Sequence, residues 1–151
     1  MFGQGHHLSF RQRQVHRLRA LPGFSALPDA VLAGLDMNSA ELRVAAGTIL
    51  VTEDQVGREA FIVLEGIAEV SIGGVAVTSV SSGAVIGEMA LLDGSPRTAT
   101  VMALTPMRIL VLDPRQFRQL FSDPETAMWI AAGLVQRLRE VTTAARLATP
   151  A

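Results

Sequence analysis

Cysteine is absent from the 151 residues. That excludes a disulfide framework, a thiolate metal site and a cysteine nucleophile, and it fits a reducing compartment. Histidine is scarce: His6, His7 and His16 are the only three. A metal-dependent barrel enzyme needs several histidines and a carboxylate on its strands, so no metal site is expected. No serine sits in a nucleophile-elbow sequence with a histidine placed to serve as its base, so the chain does not read as an enzyme. No apolar run reaches the ~18 to 20 residues that cross a bilayer, and Met1 to Phe10 carry no apolar signal core. A large charge of one sign is also missing. The formal net charge is −1, which offers no global field to nucleic acid or to an anionic membrane. These absences predict a cytoplasmic chain without nucleic-acid contact, or the cytoplasmic domain of a membrane protein whose membrane part lies elsewhere.

What is present supports a core. Hydrophobic residues make up 49% of the chain and charged residues 18%, and the length suits one domain. Three textures follow one another. Residues 1–40 read as a helical segment. Phe10, Val15 and Leu18 recur near helical spacing, and Arg11, Arg13, Arg17 and Arg19 form a basic, solvated face. After a break at Pro22-Gly23, Ser25 to Leu35 is expected as a second helix with Pro28 early in it.

From residue 41 to 113 the apolar segments shorten to four to eight residues, with turn signals about every ten, as in an all-β sandwich or barrel. Strands are expected near 41–44, 48–51, 60–65, 67–72, 75–80, 84–87, 99–104 and 107–112. Gly73-Gly74 reads as a tight hairpin turn with positive φ at both positions. Gly47, Gly57, Gly66 and Gly83 read as the other corners. Residues 114–147 return to a helical period. A short helix carries Phe117, Leu120 and Phe121. A longer one is opened by the cap Asp123 and by Pro124. Its apolar surface is wider than a single stripe, which predicts packing on the barrel and against a second copy of the chain. Trp129 reads as a packing residue.

The stretch Val85 to Val101 concentrates the chemistry. A strand breaks at Gly87-Glu88, a short apolar turn follows at 89–92, and a second strand resumes after Arg97-Thr98. An acid and a base thus flank one compact loop beside the small residues Gly87, Ala90 and Ala99. Small residues let backbone N–H groups approach a ligand, and an arginine supplies a planar fork for two anionic oxygens. The combination suggests a cradle for one small phosphate. A structural ion pair between Glu88 and Arg97 is the plainer alternative.

Gly87-Glu88-Met89-Ala90-Leu91 followed by Arg97-Thr98-Ala99-Thr100 resembles the phosphate-binding cassette (87–100) of cyclic-nucleotide-binding domains. Such domains occur in catabolite-activator-type regulators, cyclic-nucleotide-dependent kinases and cyclic-nucleotide-gated channels. The resemblance extends over residues 15 to 146. It includes V-A-A-G-T-I-L-V-T-E-D, F-I-V-L-E-G-I-A-E-V and L-D-P-R-Q-F. It implies a mainly β fold, an eight-stranded β-roll of jelly-roll type with N-terminal helices and two C-terminal helices.

The resemblance also implies roles. Arg97 would pair with the equatorial phosphate oxygens, and Glu88 would accept from the ribose 2′-hydroxyl. Backbone near Gly87, Met89, Ala90 and Ala99 would line phosphate and sugar, and Thr98 would donate to phosphate or to a guanine. Val70 and Ile86 would face the base, with Arg137 on a lid helix. Charge agrees: one arginine with oriented N–H groups balances a singly charged cyclic phosphodiester, and Glu88 must look away from it toward a hydroxyl. The ligand implied is cAMP, with cGMP the second choice. Occupancy would pass through the C-terminal helices to a channel, transporter or enzyme module. The alternatives are the sensing part of a catabolite-activator-type regulator without its DNA-binding domain, and a β-roll that only dimerises. Two loops depart from the family pattern. Glu53-Asp54-Gln55 stands where E-G-D is common, and Gly83-Ala84-Val85-Ile86 where G-D-x-F is common.

Overall fold

The computed structural model describes residues 10–25, 27–87, 94–128, 130–132, 135 and 139. Two helices lead, α1 (Phe10–Arg19) and α2 (Asp29–Asn38). Eight strands follow: β1 (Ala40–Val44), β2 (Ile49–Val51), β3 (Ala60–Glu65), β4 (Ala68–Ile72), β5 (Val75–Val80), β6 (Val85–Ile86), β7 (Thr100–Ala103) and β8 (Met107–Leu112). Helix α3 (Pro114–Phe121) comes next, and residues 124–128 are helical again. All eight expected strands are present, shifted by at most one residue at either end. They form two antiparallel four-stranded sheets, ordered β1-β8-β3-β6 and β2-β7-β4-β5. The fold is the expected mainly β roll with flanking helices.

Burial explains why some strands alternate and others do not. In β4 and β7, Ala68, Val70, Val101 and Ala103 point into the roll, while Glu69 and Met102 lie on the more open side. In β3 the run Ala60 to Leu64 is buried throughout. Phe61 and Val63 enter the roll, whereas Ala60, Ile62 and Leu64 face a second core shared with the helices. A strand covered on both faces has no polar side to show, hence the unbroken apolar sequence. Leu18, Phe24, Leu32, Leu112, Phe117 and Ile130 complete that second core.

The local chemistry is equally direct. Ile72 pairs with Val75 across Gly73 and Gly74, whose φ angles of 58° and 82° are those of the expected tight turn. Asp113 caps α3. Its Oδ1 accepts the Gln116 N–H at 2.8 Å, and Gln116 Oε1 accepts the Asp113 N–H at 2.9 Å, a reciprocal capping box. Asp123 caps the next helical residues by accepting from the Thr126 N–H and hydroxyl at 2.9 and 2.8 Å.

One helix differs from expectation. α2 begins at Asp29, not at Ser25, and runs on to Asn38. Pro28 is its N-cap, extended at φ −60°, ψ 147°, with its carbonyl accepting from Val31 and Leu32. A residue before proline is steered away from helical geometry, so the helix cannot extend back through Leu27.

The basic face of α1 is partly engaged within the chain. Arg17 and Arg108 both donate to the Glu41 carboxylate, at 3.0 and 2.6 Å, which ties α1 to β1 and β8. Arg19 donates to Asp29 and to the carbonyls of Ser25 and Leu27. Burial alone would raise the Glu41 carboxyl, but the hydrogen bonds and charges of Arg108 and Arg17 outweigh it and hold it below its ordinary value.

Candidate functional site

Arg97 lies just before β7 and only 7% of it is exposed. A buried guanidinium is costly unless its N–H groups find acceptors, and the roll supplies them from its main chain. β6 pairs with β3 through Phe61–Ile86 and Ile62–Val85, after which the two strands part. The Arg97 guanidinium bridges that parting. Nη1 donates to the Gly87 carbonyl at 2.8 Å, and Nη2 donates to the Glu59 carbonyl at 2.6 Å.

The backbone of Arg97 is fixed as firmly. Its N–H donates to Gln55 O and its carbonyl accepts from the Asp54 N–H, both at 2.9 Å. Beside it, Thr100 Oγ1 accepts from the Glu53 N–H at 3.0 Å. The segment leading into β7 is therefore laced to the loop between β2 and β3. That lacing requires φ of 67° at Asp54, which is the one non-glycine residue with positive φ among the described residues. The backbone at 54 takes the left-handed form that glycine adopts freely, and aspartate is among the few side chains that tolerate it.

The fold brings several of the expected site residues together. Gly87 and Arg97 are in direct contact through the Nη1 bond, and Gly87 holds φ of 85°. Ile86 and Val70 share the interior core of the roll, with Ala99 packed at its edge. Thr98 is exposed beside Arg97. Glu88, Met89, Ala90 and Arg137 lie outside the described residues, as do the turn 89–92 and Trp129.

Two contributors escaped the sequence reading. Glu59 acts through its carbonyl, and a main-chain acceptor leaves no trace in side-chain identity. Gly57 lies in the β2–β3 connection, as expected of a corner, but it is not among the positive-φ glycines, and its Cα backs onto the guanidinium of Arg97. The cluster can position one planar cation in a largely dry setting, where its pull on an anion is stronger than in water. Among the described residues, no group of three or more His, Asp or Glu is arranged to hold a metal ion. No described helix is long and apolar enough to cross a membrane.

Comparison with known proteins places this geometry in context. The family model for the cyclic nucleotide-binding domain matches residues 41–123. The chain is 38% identical over 80 residues to the cGMP-dependent protein kinase egl-4 of Caenorhabditis briggsae, covering 53% of this chain and 11% of the kinase. It is 37% identical over 109 residues to the cyclic nucleotide-gated potassium channel mll3241 of Mesorhizobium japonicum, covering 72% of this chain and 30% of the channel. The chain thus spans between about a tenth and a third of the length of these relatives. Among solved structures, a point mutant of a cAMP-binding acyltransferase from Mycobacterium smegmatis superposes with a TM-score of 0.72 at 26% identity. That match covers 85% of this chain and 42% of the acyltransferase. A protein kinase A regulatory domain bound to Sp-2Cl-cAMPS superposes with a TM-score of 0.77 at 23% identity, covering 92% of this chain and 93% of that one. The second match speaks to the fold alone.

Proposed function

The chain belongs to the cyclic nucleotide-binding domain family, and from that premise we propose that it is a sensor whose Arg97 cradle binds a 3′,5′-cyclic nucleotide, cAMP before cGMP. The observation that carries this reading is the buried guanidinium of Arg97, held by the main-chain carbonyls of Gly87, just after β6, and Glu59, just before β3. These carbonyls accept from the guanidinium and orient it. A cation oriented in this way is complementary to a singly charged phosphodiester, which accepts charge-assisted hydrogen bonds from it. The relatives' names, a cGMP-dependent kinase and a cyclic nucleotide-gated channel, support the ligand class.

The division of labour follows from charge. Arg97 takes the phosphate, with main-chain N–H groups near Gly87, Ala90 and Ala99 around it. Glu88 accepts from the ribose 2′-hydroxyl, since a carboxylate on the phosphate would be repelled. Thr98 stands at the exposed rim. Val70 and Ile86 offer the base an aliphatic wall, and Arg137 is assigned to its outer side.

Signal leaves through the helices. Val85, Phe117 and Ile130 share one core, and Val85 is two residues from Gly87. A ligand that shifts the cassette therefore acts on packed side chains of α3 and of the helical residues beyond Asp123. The shift goes only as far as the ligand's affinity differs between the two arrangements. The exposed side chains of Met128 and Val135 are the surface through which those helices meet an effector module or a second copy. Paired isotherms with cAMP and cGMP test the reading. Saturable 1:1 binding of either nucleotide is expected, and no heat change and no thermal shift at millimolar concentration of both would overturn it.

A further inference from the structure

We propose that Gly57 is a positioning residue for Arg97, and that its missing side chain sets where the guanidinium meets the bound phosphate. The inference rests on the cyclic-nucleotide reading above.

Among the described residues, eight glycines hold positive φ, at 23, 47, 66, 73, 74, 83, 87 and 94, and Gly57 is not one of them. Backbone conformation therefore does not demand glycine at this position. Space does: a Cβ at 57 would overlap Nε, Nη2 and Cζ of Arg97. These three atoms form one edge of the guanidinium. The same Nη2 donates to the carbonyl of Glu59, two residues further on. Residues 57–59 thus grip that edge twice, once by leaving room and once by accepting a hydrogen bond. Nη1 is held by the carbonyl of Gly87, just past β6. The fork is fixed at both tips, so its orientation toward a ligand is fixed before the ligand arrives.

The nature of the obstacle separates this glycine from others. At Gly83 a Cβ would stand 2.5 Å from the Pro22 carbonyl, and at Gly66 it would stand 2.6 Å from the Pro106 carbonyl. Those partners are main chain, so the fold itself must yield. At Gly57 the partner is the end of a long side chain, which can swing aside. A methyl at 57 therefore leaves the roll intact and displaces the charge.

The test compares wild type, Gly57→Ala, Arg97→Ala and the double variant. Each is measured by calorimetric titration with cAMP and by urea unfolding. Wild type and Gly57→Ala are also titrated with the Sp and Rp phosphorothioate analogues of cAMP, in which sulfur replaces one or the other equatorial oxygen. Gly57→Ala is expected to weaken cAMP about 10- to 100-fold, the effect of misplacing one charge-assisted contact. Displacing the guanidinium forfeits part of its bonding to the two carbonyls, so the thermal midpoint is expected to fall by about 2–8 °C with the variant still folded. The affinity ratio between the Sp and Rp analogues is expected to contract toward unity, because a displaced fork no longer distinguishes the two oxygens. General loosening would weaken both analogues equally.

An unchanged cAMP affinity, or an unchanged Sp/Rp ratio, overturns the proposal. If Gly57→Ala unfolds, the Arg97→Ala background decides. With the guanidinium gone the methyl should be tolerated, and an equal loss of stability in both backgrounds overturns the proposal. Wild-type affinity in Arg97→Ala would instead overturn the site reading itself.

Discussion

Replacing Gly87 with alanine perturbs the cradle through two independent terms. Gly87 holds φ of 85°, a left-handed conformation that costs an alanine about 1–2 kcal/mol. Its Cβ would also overlap Nη1 of Arg97 and stand 3.1 Å from the carbonyl oxygen of Glu59. The arginine can move, but the carbonyl is main chain and gives little. Displacing Arg97 forfeits the bonds from Nη1 and Nη2, and a hydrogen bond from a charged group contributes about 1.5–3 kcal/mol. Partial resolvation of the freed guanidinium offsets some of that loss. The expected destabilisation is about 2–4 kcal/mol, a fall of roughly 5–15 °C in thermal midpoint for a chain of this size. Urea unfolding followed by circular dichroism measures it, and cAMP titration of the folded variant should show weakened binding. A Gly87→Ala protein within about 0.5 kcal/mol of wild type that binds cAMP normally would refute the reasoning, because neither the positive φ nor the overlap would then matter.

Other outcomes follow from the same structure. Phe117→Ala empties a fully buried site between α3 and the helical core and should cost about 3–5 kcal/mol by urea unfolding. Asp113→Ala removes the carboxylate that accepts the Gln116 N–H, one half of the capping box, and should cost about 0.5–2 kcal/mol, read as a lower thermal midpoint. Glu41→Gln should lower stability at pH 7 by less than ~1 kcal/mol, since the ion cluster is partly exposed. The Glu41 carboxyl is held below its unfolded value, so its contribution is present above the ordinary carboxylate range and is lost as pH falls through the lowered folded value. Chemical denaturation of the two proteins at a series of pH values should therefore converge toward acid, and a gap that widens instead would contradict the assignment.

Much of the roll was legible from residue order. The short apolar runs, Gly73-Gly74 and the switch to helical period after Asp113 each depend on neighbours close in sequence, so local rules sufficed. β3 was recognisable because a doubly buried strand has no polar face. The start of α2 was misplaced because the apolar spacing of Leu27, Val31 and Leu35 spoke louder than the constraint that Pro28 puts on the residue before it. In the site, Arg97 and Gly87 were apparent as a basic fork beside a small residue. Their acceptors were not. The Glu59 carbonyl is brought to Arg97 by the β3–β6 pairing, 38 residues away in sequence, and any residue at position 59 would offer the same oxygen. Gly57 was visible as a glycine, but sequence cannot separate one kept for positive φ from one kept for room. Only the φ angles and the neighbouring guanidinium make that distinction.

The central claim is that Arg97 supplies the charge for a cyclic phosphodiester. Calorimetric titration of cAMP into wild type and into Arg97→Ala, with both shown to be folded, tests it most directly. Leaving the phosphate unpaired costs about 2–5 kcal/mol, so the dissociation constant should rise on the order of 30- to 5,000-fold. Wild-type affinity in Arg97→Ala would contradict the account.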